Sequence, residues 1–120
     1  MKKRKDNQFD TADLEKSVPY NLVQIVKYMT NAVVSKTILK KLTGNITAIS
    51  VATGEAIIEK TLPFDTFIQI IDGRADVIIE KKKHRLKLGE GIIIPAHSRH
   101  SINANQHFKM ISTVIKSGYE

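Results

Sequence analysis

No cysteine occurs anywhere in the sequence. Disulfide bonds, thiolate nucleophiles and sulfur-ligated zinc sites are therefore excluded, and the absence fits a reducing compartment. Internal repeats, low-complexity tracts and linkers rich in proline or glycine are also missing. With 120 residues, 42% of them apolar and 26% charged, the chain is long enough to form one globular domain around its own core.

No apolar run approaches the roughly 20 residues that a membrane-spanning helix requires. The basic start, Met1–Lys5, is similar to the first part of a signal peptide. However, Asp6, Asn7 and Gln8 stand where the apolar segment of a signal peptide would begin. We therefore expect a cytoplasmic protein that does not bind or cross a membrane.

The formal net charge of +7 raises the question of a nucleic-acid partner. Four of the positive charges lie in Lys2–Lys5, at a terminus that we expect to be disordered. Another cluster, Lys81–Lys83, lies between two strand-like runs and is typical of a hairpin turn. A solvated tail and a solvated turn account for the basic composition, so the sequence predicts no nucleic-acid binding.

The first 31 residues are predicted to form an extension that is partly helical or disordered. The run Asp10–Glu15 is typical of a helix start, with a capping Asp or Thr and acidic residues in the first turn, and Pro19 should end it. The next run, 21–29, fits a helix by the spacing of its apolar residues and a strand by its β-branched content.

From Ala32 onward the pattern predicts strands almost throughout. The predicted strands cover 32–40, 45–52, 57–61, 64–71, 75–80, 84–88, 92–95 and about 107–116, with glycine-containing turns between most of them. Short strands at intervals of roughly 8 to 12 residues indicate an all-β sandwich or barrel. Residues 32–120 are therefore predicted to form the folded domain.

Two segments resemble the conserved motifs of the cupin superfamily, whose RmlC-like members are small β-barrels. The run Gly89–His100 resembles the second motif, in which glycine, proline and histidine follow in this order, and Pro63–Ala75 resembles the end of the first motif, with Gly73 as its closing glycine. The family usually has glycine at the position of His97, and an asparagine one residue beyond Asn103. The resemblance implies a cupin double-stranded β-helix, that is, a jelly-roll barrel, with a short N-terminal helical extension.

The resemblance also implies where a metal would be bound, and most of these positions hold no ligand. In metal-binding cupins the first motif supplies two histidines and a glutamate, which fall here on Lys60, Leu62 and Thr66. Only His100, the fourth position, keeps a ligand residue. We therefore expect no metal cofactor, as in a subgroup of small bacterial cupins that the run Lys60–Asp65 resembles.

A rearranged metal site is an alternative, because His97, His100 and Asp65 are residue types that bind zinc or iron. In the simpler interpretation, Asp65 caps a turn and His97 lies at the rim in water. His84 and His107 are expected to be structural or exposed. The sequence does not decide between the rearranged site and the simpler interpretation.

The ligand-binding residues are predicted to be Lys60, Leu62, Thr66, His97 and His100. A lysine inside the barrel would be desolvated and could grip an anion, whereas a lysine that reaches the barrel mouth would keep its ammonium in water. Lys60 together with His100 would suit a small carboxylate or phosphate. Ile68 and Ile70 are expected to line the same cavity with Leu62.

Three functions follow from this assignment. The first is a metal-free module that binds an unidentified small molecule, for which an anion is one candidate. The second is an enzyme, either metal-dependent with the rearranged site or a metal-free isomerase or epimerase with His100 as base. The third is a structural dimer whose barrel is filled by side chains. We expect a homodimer, because residues 22–29 carry more apolar surface than one short segment needs.

Overall fold

The computed structural model describes residues 7–10, 12–59 and 61–119. These residues form ten strands: β1 (Asn7–Asp10), β2 (Val33–Lys41), β3 (Gly44–Val51), β4 (Ala56–Glu59), β5 (Asp65–Gly73), β6 (Ala75–Ile79), β7 (Lys82–Leu86), β8 (Gly91–Ile94), β9 (His100–Asn103) and β10 (Phe108–Ile115).

The strands form two sheets that face each other. The larger sheet has the order β1-β2-β3-β10-β5-β8, and the smaller has the order β4-β9-β6-β7. The pairings are antiparallel except for β1 with β2. The fold is therefore the all-β jelly roll that the sequence predicts.

Strand β5 shows why these residues form a two-layer barrel. Successive side chains of a strand point to opposite faces, and Thr66, Ile68 and Ile70 are buried whereas Phe67 and Gln69 are exposed. The inner faces of both sheets meet in one core cluster. It consists of Val51, Ile68, Ile70, Ala75, Val77, Leu86, Ile94, Ile102, Ala104, Phe108 and Met110.

The N-terminal segment covers part of the outer face of the larger sheet. Val26 is only 2% exposed and packs with Ile25 against Ala48 on β3 and Ile111 on β10. The hydroxyl of Ser50 donates to a backbone carbonyl of this segment, that of Lys27, at 2.8 Å. The segment is thus held to the barrel by apolar packing and by polar contacts.

The helix predicted to begin near Asp10 is not formed. Described residues 12–32 have turns and bends, and Asp10 belongs to β1. A short helix needs an apolar stripe to bury, but around Leu14 the neighbouring side chains are exposed, and the backbone N–H of Leu14 bonds to the carbonyl of Ile38 on β2. Among the described residues, no helix has the length and apolar character needed to span a membrane.

Candidate ligand-binding site at one end of the barrel

The predicted binding residues within the described part of the chain lie where four strand ends meet; they are Leu62, Thr66, His97 and His100. β4 and β9 meet where Glu59 pairs with His100, and β5 and β8 meet where Thr66 pairs with Ile94. The turn 95–99 joins β8 to β9. We call this region the His100 end of the barrel.

Asp65 holds the turn between β8 and β9 in place. Its Oδ1 accepts a hydrogen bond from the backbone N–H of Ala96 at 2.7 Å, while the N–H of His97 donates to the carbonyl of Leu62. The hydrogen bond from Ala96, and then that with the Tyr119 hydroxyl, lower the pKa of Asp65 below its usual value. Asp65 therefore acts as an ionised cap of this turn.

The two histidines of this region have different surroundings. His97 is exposed and has a φ of 68°, a left-handed conformation that glycine adopts without strain, which accounts for the glycine usual at this position. His100 is only 6% exposed, and its Nδ1 lies 3.3 Å from the carbonyl oxygen of Ser98. It shares a face of β9 with the core residue Ile102. His97 is thus a rim residue and His100 an interior one.

The rearranged metal site is not assembled. Within residues 7–10, 12–59 and 61–119, no group of three or more His, Cys, Asp or Glu side chains is arranged to hold a metal ion. His97, His100 and Asp65 are therefore not brought together as three ligands, since the carboxylate of Asp65 is engaged by the turn.

The positions of the usual cupin metal centre do not fit a metal either. The half-buried side chain of Leu62 has no donor atom, and Thr66, which is 6% exposed, offers only a neutral hydroxyl. Lys60 lies outside the described residues. At the described positions, only His100 is a residue type that commonly binds a metal.

Part of the predicted cavity lining belongs to the core. Ile68 and Ile70 are 2% and 1% exposed and pack in the core cluster, so they are structural residues rather than the walls of a binding cavity. The sequence pattern shows which face of β5 is internal but not how far the opposing side chains fill the space. Thr66, next on that face, is the β5 residue at the His100 end.

The His100 end is basic. Lys81 lies in the hairpin after Ile79, the register partner of His100, and Arg99 immediately precedes His100. Lys116 follows β10, which pairs at its end with the start of β5. These three cationic side chains outnumber the two carboxylates whose side chains are described nearby, Asp65 and Glu80, which accept hydrogen bonds from backbone N–H groups. A positive potential at this end is therefore expected.

A groove of about 820 Å³ lies beside this end, on the outer face of the smaller sheet. No local feature of the sequence predicts this groove. Its walls come from residues on β4, β6 and β9 that are far apart in the chain. Only the strand register, which local sequence patterns do not give, could have revealed it.

A smaller cleft of about 340 Å³ lies between the N-terminal segment and the barrel, beside Tyr28 and His107. The two rings stack with their centroids 3.9 Å apart, and the Tyr28 hydroxyl donates to Oδ2 of Asp72 at 2.7 Å. Burial and this hydrogen bond raise the pKa of Tyr28 above its usual value. The ammonium of Lys109 lies 4.7 Å from the ring centroid of Tyr28. His107 is thus an exposed residue that stacks on Tyr28.

Sequence comparison finds no matching family model and no matching curated protein. Structural comparison finds close neighbours. A protein of unknown function from Streptococcus pyogenes has a TM-score of 0.83 and 26% identity, with 91% of this chain and 96% of that chain covered. A cupin superfamily protein from Desulfitobacterium hafniense has a TM-score of 0.80 and 26% identity, with 88% and 96% covered. A cupin 2 conserved barrel domain protein from Leptotrichia buccalis has a TM-score of 0.78 and 28% identity, with 81% and 47% covered.

Proposed function

The chain has the fold of a small cupin, like its neighbours from Desulfitobacterium hafniense and Leptotrichia buccalis, and on this premise we propose that it binds a small anion at the His100 end of the barrel. In this proposal the site comprises Leu62, Thr66, His97 and His100. The sequence adds Lys60, which precedes the described Thr61. No metal takes part in the binding.

The observation that supports the proposal concerns buried polar side chains. Among the described residues, those that are buried are Ser50, Thr66, Asp76, His100 and Lys109. Ser50, Asp76 and Lys109 lie on outer faces and bond to carbonyls or side chains there. Thr66 and His100 face the interior, from opposite sheets, at the same end of the barrel, and Nδ1 of His100 lies 3.3 Å from the carbonyl oxygen of Ser98. A few polar side chains that face the interior at one end of a barrel can orient a ligand there.

The choice of an anion follows from charge. Lys81, Arg99 and Lys116 lie around this end and outnumber the two carboxylates whose side chains are described nearby, those of Asp65 and Glu80. A basic rim raises the local concentration of small anions. Jelly-roll barrels of this size enclose at most a small ligand.

The test is a screen of phosphate, sulfate, acetate and citrate for a rise in the melting temperature of the purified, untagged protein. We expect at least one anion to raise it, and the rise to shrink with added sodium chloride. Thr66→Val and His100→Gln should abolish the rise while the proteins stay folded. Thr113→Val, on the outer face of β10, is the matched control and should keep it.

Two results would contradict the proposal. The first is the absence of any anion effect, or an effect that Thr66→Val and Thr113→Val change equally. The second comes from elemental analysis after incubation with zinc, iron, manganese and nickel and removal of loose ions. Near one metal per chain, lost in His100→Ala, would indicate a metal-dependent enzyme instead.

A further inference from the structure

The groove on the outer face of the smaller sheet follows strand β9. Its floor carries Ser101 and Asn103, and its walls carry Ile58 on β4 and Ile78 on β6. Its volume, about 820 Å³, is in the range that accommodates a small organic molecule. His100 borders the groove as well, but it shares a face of β9 with core residues.

The strand register explains why the groove exists. Ser101 is the register partner of both Ile58 and Ile78, so a small side chain lies between two large ones in one cross-strand row. Ile58 is 84% exposed, and an isoleucine with this exposure adds little buried apolar area to the folded protein. The row therefore forms a trough with apolar walls and a polar floor.

One end of the trough is basic. Lys81 and Arg99 both line it and are exposed. Glu80 holds their two segments together, since its N–H donates to the carbonyl of Arg99 and its carboxylate accepts from the N–H of Arg99, both at 2.9 Å. Neither the ammonium of Lys81 nor the guanidinium of Arg99 forms an ion pair with another described residue.

The hairpin that carries Lys81 has a strained backbone. Glu80 and Lys81 have φ values of 48° and 72°, and these two residues form the whole connection between β6 and β7. Two-residue connections with positive φ at both positions strongly prefer Asn-Gly or Gly-Gly. Strain of this kind is retained where the side chains serve another purpose. Glu80 positions the Arg99 segment, which leaves the ammonium of Lys81 without a structural role among the described residues.

We propose that this groove binds a small organic carboxylate with an apolar body. The carboxylate lies between Lys81 and Arg99, which supply charge-assisted hydrogen bonds. The body lies in the trough between Ile58 and Ile78, and the hydroxyl of Ser101 and the amide of Asn103 bond to polar substituents. Lys81 and Arg99 also lie at the rim of the interior site, but the groove itself is on the outer face of the smaller sheet, and the proposal does not depend on binding in the interior.

The experiment uses benzoate as the probe, followed by chemical shifts of backbone amides in the ¹⁵N-labelled protein. We expect saturable shifts at Ile58, Ile78 and Ser101. Benzamide, which lacks the charge, and inorganic phosphate, which lacks the apolar body, should produce much smaller shifts at the same amides. Ser101→Leu fills the trough without changing any charge and should abolish the shifts.

Lys81→Asn separates a binding role from a structural one. Asparagine tolerates the left-handed conformation, so this variant should have a higher melting temperature than the wild type. Its affinity for benzoate should fall about tenfold, because one charge-assisted hydrogen bond is lost. Lys87→Asn, an exposed lysine in the turn after β7, is the control and should leave the affinity unchanged.

The outcomes distinguish the two proposed sites. Benzoate shifts that persist in Ser101→Leu, or equal affinity in Lys81→Asn and wild type, would overturn the groove proposal. Shifts confined to residues around Thr66 would also overturn it and would support the interior site alone. Shifts at Ser101 that survive Thr66→Val, together with weakened binding in Lys81→Asn, would establish the groove.

Discussion

The carboxylate of Asp76 on β6 accepts a hydrogen bond from Nε of Arg85 on β7 at 3.0 Å. Its second oxygen accepts another from Nδ2 of Asn105 at 2.7 Å and lies 4.0 Å from the ammonium of Lys83. Asp76 is only 5% exposed. The hydrogen bond from Arg85 is the main reason why the pKa of Asp76 is lowered below its usual value. One buried anion therefore ties two strands of the smaller sheet to the loop before β10.

Asp76→Asn should lower the free energy of unfolding by about 2 kcal/mol at neutral pH, because charge-assisted hydrogen bonds of a buried group are lost. Urea unfolding followed by circular dichroism measures the change. Asp13→Asn, an exposed aspartate of the N-terminal segment, should change the stability by less than about 0.5 kcal/mol. Equal effects of the two substitutions would contradict the assignment.

The contribution of Asp76 to the free energy of unfolding should also depend on pH. A carboxyl group whose pKa is lowered by folding stabilises the protein above its unfolded pKa of about 3.9, and this contribution is lost as the pH falls through the lower folded value. The stability difference between wild type and Asp76→Asn should therefore be full near neutral pH and shrink as the pH falls below about 4. A difference that stays constant across this range would contradict the prediction.

Gly73 and Gly54 form a matched pair for backbone effects. Both have positive φ, 71° and 86°, but a Cβ at Gly73 would lie 2.9 Å from Cα of Phe108 and closer still to the carbonyl oxygen of His107, whereas a Cβ at Gly54 meets nothing. We expect Gly54→Ala to cost about 1 kcal/mol and Gly73→Ala about 3 kcal/mol or more, because only the second adds a clash with the main chain. Thermal unfolding of both variants checks this. Similar losses would mean that φ alone governs both sites.

Gly73, the glycine at the end of the first cupin-like motif, is an example of a feature that the sequence predicts correctly. Gly73 ends β5 beside Phe108, so its identity depends on local backbone conformation, which a motif records directly. Most predicted strands lie within a few residues of the observed ones for the same reason, since alternation is a local signal. β9 was missed, because His100–Asn103 is short and its alternation is brief.

The binding features depend on pairings that local patterns do not contain. Ser101 becomes the floor of a groove only because Ile58 and Ile78 are its partners in strands remote in sequence. Likewise, alternation along β5 predicts that Ile68 and Ile70 face the interior, and they were therefore assigned to a cavity. The sequence does not show which side chains from the opposite sheet fill the space next to them. The prediction of an N-terminal helix was wrong because the packing of Val26 and the backbone hydrogen bond of Leu14 determine the conformation of that segment.

Tyr28 should contribute to the attachment of the N-terminal segment through its hydroxyl. Tyr28→Phe keeps the stacking on His107 but removes the hydrogen bond to Asp72, so we expect a loss of about 1 kcal/mol in urea unfolding. The hydroxyl of Tyr20 accepts one exposed hydrogen bond, from the N–H of Glu15 at 3.2 Å, and Tyr20→Phe should therefore have a smaller effect. The opposite order would show that Asp72 does not anchor this segment.

The outer face of the larger sheet carries an exposed apolar row next to a sheet edge. On this face Phe67 lies between its register partners Ile93 on the edge strand β8 and Thr113 on β10. Phe67 is 40% exposed and Ile93 62%, while Ile25 and Val26 cover the neighbouring part of the same face. We propose that a second copy of the chain covers Phe67 and Ile93 in a two-fold symmetric dimer, because an exposed apolar row beside a sheet edge favours pairing.

Light scattering should then give about twice the chain mass of 13.5 kDa for the wild type. Phe67→Lys should give a monomer, because a charge in the row would have to be buried. Leu42→Ser removes a residue that is 98% exposed at the tip of the β2–β3 hairpin, and it should leave the dimer intact. Leu22→Ser tests whether the N-terminal surface forms the interface instead. If Leu22→Ser dissociates the dimer and Phe67→Lys does not, the interface lies on the N-terminal segment. A monomeric wild type would contradict the dimer proposal.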